Sequence, residues 1–390
     1  MVVLISAGLF VFLLRVSVSP AFMSDETKPR RSLVTLAVKP SILHLCVRFV
    51  GGCFPSRRST RRKTSLQVRS KGLETDLFEV AGVWVTGDYT TIGAAIAAAP
   101  NNSDSRFIIH VKPGMYFEYI KIESSKTFIT LKGDDASTTT IVGNRSQATG
   151  FGTADSATFV VGANHFLAVS ITFSNSAGAG PKHGQAVALL NSNNVNYTVF
   201  YKCVFLGYQD TLFINGKMLF FKDCEIYGTV DFIFGNALVV FQDCRIYARL
   251  LNNTVTVTAQ SKDNIKQLSG FSFQNCSVMV SPELGPVNET IVFLGRPWRD
   301  YSTVIFMESF LDSVVNPAGW SEWSNSSSLK LLFYAEYDNR GPGANLSGRV
   351  KWPGFHAIEN RKEATRFSVR EFINGTTWLP ETGVPYRPDL

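Results

Sequence analysis

The chain has 390 residues, 45% of them hydrophobic and 18% charged, with a net charge of +7. That apolar share excludes an intrinsically disordered chain, and the length admits one long domain or two. The charge is unevenly placed: residues 1–72 hold 13 Lys/Arg and 2 Asp/Glu, a net of +11, so residues 73–390 hold 38 − 13 = 25 basic and 31 − 2 = 29 acidic residues, a net of −4. A nucleic-acid-binding role therefore rests on the leader alone.

Met1 to Leu14 is an apolar run too short to span a bilayer. It resembles a signal-peptide core, although no basic residue precedes it. Lys28 to Lys71 is rich in Arg and Ser and contains Arg57-Arg58-Ser-Thr-Arg61-Arg62-Lys63. This stretch reads as a processed pro-segment, a nucleic-acid-binding tail or a plastid-like transit peptide. Residues 1–72 are expected to be a dispensable leader, and residues 73–390 to form one domain. No transmembrane helix is expected beyond the leader.

In the body, Tyr89-Thr-Thr-Ile92 followed by an Ala-rich run to Pro100 predicts a turn and a short helix. Ile92 and Ile96 lie one helical turn apart, and Pro100 ends the segment. Such a helix would cap the open end of a repetitive β structure. Short runs rich in branched and aromatic residues follow: 107–111, 128–132, 139–142, 158–161, 166–173, 186–190 and 198–205. Each is bounded by Gly, Asn or Asp and reads as a strand. From about Asn316 the chain is richer in Trp, Pro and Gly and is expected to pack back along the preceding strands.

One pattern recurs: Phe200-Tyr-Lys-Cys203, Phe221-Lys-Asp-Cys224, Phe241-Gln-Asp-Cys244 and Phe273-Gln-Asn-Cys276. The cysteines are 224 − 203 = 21, 244 − 224 = 20 and 276 − 244 = 32 residues apart. A strand motif at this period is the mark of a solenoid, in which each turn buries its apolar face only by stacking on its neighbours. The expected fold is a right-handed parallel β-helix. The cysteines are expected to be free and to fill a narrow core, although stacked coils also bring them within disulfide range. No zinc-like Cys/His spacing is present, and neither a metal nor a cofactor is expected.

Asp210 and Asp231 are 231 − 210 = 21 residues apart, which is one coil. Stacked coils are ~4.8 Å apart, so two carboxylates at the same point of successive coils can meet. If their environments push their pKa values apart, one acts as an acid and the other as a nucleophile or base. No Gly-x-Ser-x-Gly segment is present, which counts against a serine nucleophile.

Five segments stand in order: Gly114-Met-Tyr116-Phe-Glu118, Gln185-Ala-Val-Ala-Leu189, Tyr208-Gln209-Asp210-Thr-Leu212, Asp231-Phe-Ile-Phe-Gly235 and Leu294-Gly295-Arg296-Pro-Trp298. Together with Pro317-Ala-Gly-Trp320 and Trp378-Leu-Pro-Glu-Thr-Gly-Val-Pro-Tyr386, they resemble the signature set of the plant pectin methylesterases (pectinesterases). The resemblance covers about residues 86–390 and implies a parallel β-helix acting on methyl-esterified pectin in the cell wall. It implies Asp231 as nucleophile, Asp210 as general acid and base, Gln185 and Gln209 as oxyanion donors, and Arg296 as the partner that keeps Asp231 charged. It further implies Trp298 and Trp320 as a floor for sugar rings, Phe232 as a wall beside the ester, and Thr153 as a substrate contact. Tyr116 and Glu118 are read as structural.

Departures from the pattern are Leu190, where the family usually carries Arg, and Val80-Ala-Gly-Val-Trp84-Val-Thr-Gly87, which lacks the usual first-strand signature. The leader is too short for an inhibitor-like helical pro-domain, so the chain is grouped with the short forms. A separate inhibitor protein is implied as a partner, and a secreted monomer is expected. Nine Asn-x-Ser/Thr sequons (Asn101, Asn144, Asn196, Asn252, Asn275, Asn288, Asn325, Asn345 and Asn374) favour secretion and glycosylation, with Asn275 expected to be inaccessible. Two rivals keep the fold. A polygalacturonase or pectate lyase changes the reaction, and a binding-only solenoid has none.

Overall fold

The computed structural model describes residues 2–7, 10–15, 83–85, 89–180, 182–249, 254–282, 291–323 and 328–390. Most of the leader's expected features lie outside these residues. The chain divides into two compact units, Met1–Leu73 and Glu74–Leu390. In the first, Val2–Ala7 and Phe10–Arg15 pair as antiparallel strands.

In the second unit, the described strands form three sheets of eleven, eight and seven strands, each strand hydrogen-bonded in parallel to the equivalent strand of the next coil. The unit is a parallel β-helix. Its inward side chains form a core in which like stacks on like. Phe200, Phe221, Phe241, Phe273 and Phe306 lie in one file with ring centroids 4.7, 4.7, 4.6 and 4.3 Å apart. These separations equal the inter-strand spacing, so each ring meets its neighbour face to face without moving the backbone. Cys203, Cys224, Cys244 and Cys276 are buried and free. Their thiols donate to main-chain carbonyls, as Cys224 does to Phe200 and Cys244 to Phe221.

The residue before each of these cysteines makes the corner between two sheets. Ser170, Lys202, Asp223, Asp243, Asn275, Glu308 and Asp338 all have left-handed backbones, with φ between 46° and 57°. Asp and Asn tolerate this region better than most residues. The corner N–H groups still continue the ladder, Lys202 donating to the carbonyl of Lys222 and Asp223 to that of Gln242. Here the structure differs from the expected strands. The runs 166–173 and 198–205 each bend at a corner, giving Leu167–Val169 and Thr172–Asn175, then Asn196–Tyr201 and Val204–Leu206. Hydrophobicity continues through the bend, so it does not mark it. The run 186–190 is corrected to Leu189–Asn191.

The predicted helix is Ile92–Ala98, capped by Thr91, whose hydroxyl accepts from the N–H of Ala94. The carboxylate of Glu118 accepts from the N–H groups of Ile92 (2.9 Å) and Gly93 (3.0 Å), which favours a negative charge at that helix end. The helix buries Ile92, Ala95 and Ile96 against the core. Despite the unusual sequence there, a first strand forms at Val83–Val85 and pairs with 107–109. The last stretch divides. Phe333–Tyr337 and Phe355–Ile358 extend the eleven-stranded sheet. Only the later helices and tail pack back, placing Val369, Ile373, Trp378 and Leu379 on the sheet's outer face against Val199, Phe220 and Val240.

Candidate active site

The seven-stranded sheet carries the carboxylates. Leu212 pairs with Ile233 across two coils, so Asp210 and Asp231 occupy the same position in successive coils. Both stand at left-handed corners, with φ of 63° and 52°. Left-handed corners of this kind recur along the coil, and Asp adopts them more readily than most residues. The corners turn both side chains out of the core into a cleft of about 520 Å³.

The file around the pair decides their electrostatics. Leu189 pairs with Leu212, so Val187 holds Asp210's position one coil earlier. On the other side, Thr256 holds the hydrogen bonds of Asp231: its hydroxyl donates to Oδ1 (2.9 Å) and accepts from the Asp231 N–H (3.0 Å). Arg296 donates to Asp231 through Nε to Oδ1 (2.8 Å) and through Nη2 to Oδ2 (2.7 Å). This two-pronged geometry fixes the carboxylate plane as well as its charge. Both aspartates are buried, at 8% and 5% exposure. Burial first, and the neighbouring charge of Asp231 second, push the Asp210 carboxyl well above the usual carboxylate range, with Arg296 opposing. One carboxylate is thus held by a cation, while burial pushes its neighbour toward the protonated form.

Thr153, Gln185, Gln209, Asp210, Asp231, Arg296 and Trp298 meet in this cleft. The side-chain oxygen of Gln185 is buried and meets no donor among the described residues. Backbone stacking positions the two glutamines together, the N–H of Ala186 donating to the carbonyl of Gln209.

Two expected site residues lie elsewhere. Phe232 is fully buried in the core, because the corner at Asp231 turns the next side chain inward. The cleft wall is instead Phe213 and Phe234, stacked with centroids 4.3 Å apart. Their separation, 234 − 213 = 21, equals that of the two aspartates and was available as a signal. Trp320 is also buried, its indole N–H donating to Glu336, which is itself paired with Arg349 at 2.7 Å. Its backbone bridges to that of Gly295, whose missing side chain leaves room for Thr258: a Cβ there would lie 2.0 Å from the Thr258 hydroxyl. Trp323 stands in the cleft in its place, its ring 4.1 Å from the Arg296 guanidinium carbon and stacked with Trp298 at 6.5 Å. Ala154 and Ala259 complete the lining.

The described residues thus define a parallel β-helix whose one cleft brings together an Asp pair, an Arg clamp and two glutamines. The Pectinesterase family model matches residues 80–376, and the chain belongs to that family. It is 46% identical over 304 residues to "Probable pectinesterase/pectinesterase inhibitor 39" of Arabidopsis thaliana, covering 77% of this chain and 56% of that protein. It is 44% identical over 307 residues to "Pectinesterase 2" of Citrus sinensis, covering 78% of this chain and 59% of that protein. The chain therefore spans a little over half the length of the curated relatives it matches. Among solved structures, pectin methylesterase from carrot is 40% identical, with a TM-score of 0.76 over 81% of this chain and all (100%) of that one.

Proposed function

We propose that the chain hydrolyses the methyl esters of pectin, converting methyl-esterified galacturonate and water to galacturonate and methanol. The observation that carries this reading is the geometry of the pair: Asp231 is held by Arg296 at 2.8 and 2.7 Å beside a buried Asp210 whose carboxyl burial pushes toward the protonated form. In this mechanism, Asp231 attacks the C6 carbonyl carbon. The tetrahedral oxyanion accepts hydrogen bonds from the side-chain amides of Gln185 and Gln209, neutral donors that leave the nucleophile's charge untouched. Asp210 gives its proton to the departing methoxide, leaving an acyl-Asp231 anhydride. Asp210, now ionised, takes a proton from water as that water attacks the acyl carbon, and Asp231 is released with Asp210 reprotonated.

Trp298 and Trp323 offer the flat apolar faces against which sugar rings pack, and Thr153 lies at the cleft edge. We place the reaction outside the cell, in the plant wall, on the strength of the sequons and the substrate. Among the described residues no helix is long and apolar enough to cross a membrane.

The test is methanol release from highly methylated pectin by the full chain and by residues 73–390, beside an assay for new reducing ends. Methanol without reducing ends is expected, with Asp231→Asn lowering the rate at least about 10³-fold, as removal of a nucleophile does. New reducing ends without methanol would identify a glycosidase or a lyase instead.

A further inference from the structure

The seven-stranded sheet turns one file of side chains outward along the coil axis. Register places Lys121, Val160, Leu190, Phe213, Phe234 and Ala259 in that file. The next position is Arg296, since Thr258 pairs with Gly295. An outward file on a solvated sheet is ordinarily polar, yet five consecutive rungs here are apolar. Four steps of ~4.8 Å make the run about 19 Å long. Phe213 and Phe234 stand three residues after Asp210 and Asp231, so the file runs beside the carboxylates. It then continues past the Asp210 coil to Leu190 and Val160, both half-buried and packed against the cluster that holds Ala157 and Val187.

We propose that Leu190 and Val160 form a subsite that takes the sugar adjoining the hydrolysed one as its methyl ester, so that the enzyme favours contiguous esterified stretches over partly de-esterified ones. The inference rests on the esterase reading above and names the substrate pattern that site selects. A free carboxylate laid on this file would lose its water against apolar side chains. Of the cations that end the file, Arg296 is already held by Asp231 at 2.7 Å, and Lys121, in an exposed pair with Glu123, lies one rung beyond Val160. A methyl ester in the same place buries apolar surface without stripping water from a charge.

The experiment compares kcat/KM for methanol release from galacturonate oligomers of one length, fully methyl-esterified or partly de-esterified, with products mapped by mass spectrometry. The wild type is expected to prefer the fully esterified oligomer by on the order of tenfold, the scale on which one well-matched apolar contact discriminates. It is expected to leave free acids scattered along the chain. Leu190→Arg should reduce that preference by a similar factor and produce neighbouring free acids. Val160→Lys, one rung further out, should move the ratio in the same direction, and circular dichroism checks that each variant is folded. A ratio and product pattern unchanged in the folded variants, with methanol still released, would overturn the subsite alone. A wild type that releases no methanol from either oligomer would remove the esterase reading and the subsite with it.

Discussion

Asp231 accepts from both prongs of Arg296 and from Thr256, whereas its neighbour Asp210 follows Val187 in the file and is raised by burial. The raised value has consequences of definite sign. Below the unfolded carboxylate value of about 3.9, Asp210 is protonated in both states and its contribution to stability is fully present. As pH rises above that value, the unfolded chain releases the proton first, and this contribution is lost up to the raised folded value. Asp210→Asn should therefore raise the melting temperature more at neutral than at strongly acid pH. The same variant should lower kcat by about 10²- to 10⁴-fold, the usual loss of a general acid. In the wild type, methanol release should fall as pH rises through the Asp210 titration, and a pH-rate profile lacking that limb would count against Asp210 as the acid. Arg296→Lys keeps the charge but not the fork. Losing one hydrogen bond to a charged group costs about 1.5–3 kcal/mol, so kcat should fall about 10- to 100-fold in steady-state assays.

At the scale of the element, the recurring Phe-x-x-Cys unit encodes three things at once: a stacked ring, a corner and a thiol that fills the narrow turn. Phe241 lies between Phe221 at 4.7 Å and Phe273 at 4.6 Å, fully buried. Phe241→Ala should cost about 3–5 kcal/mol, because a rigid file of backbones cannot close over the gap. Urea denaturation would measure it. Asp243 at its corner holds φ at 57° and accepts from Lys222 at 3.0 Å and from Asn275 at 2.6 Å. Asp243→Val should destabilise by at least about 1–2 kcal/mol from the left-handed backbone alone, with Asp243→Asn milder. The Asn275 side chain thus donates to Asp243 and accepts from Arg340 at 3.1 Å.

For the whole molecule, residues 73–390 carry 25 − 29 = −4 charges, so the coil has no net attraction for polyanionic pectin. Retention of this region on de-esterified pectin should be weak and change little with added salt. A column gradient with residues 73–390 tests this, and tight, salt-released binding would contradict it. Recognition would then rest on local contacts in the cleft rather than on overall charge. The C-terminal tail contributes to the rigidity of that coil: Gln242 and Gln274 donate to the carbonyls of Arg387 and Asp389.

The repeat, the one-coil spacing of Asp210 and Asp231 and the capping helix were legible in the sequence because stacking demands the same residue type at the same phase of each turn. The family motifs likewise marked Arg296 and both glutamines. What was not legible was which way a side chain turns after a corner. Left-handed residues reset the in-out alternation, so Phe232 enters the core while Phe234 faces the cleft. Trp320 likewise lies in the core, three residues before a Trp323 that lines the cleft. Local sequence determined the strands and the period of the coil. Only the tertiary structure decided the direction of each aromatic ring and the desolvation of Asp210, because both depend on the neighbouring coil, whose residues lie 20 or more positions away.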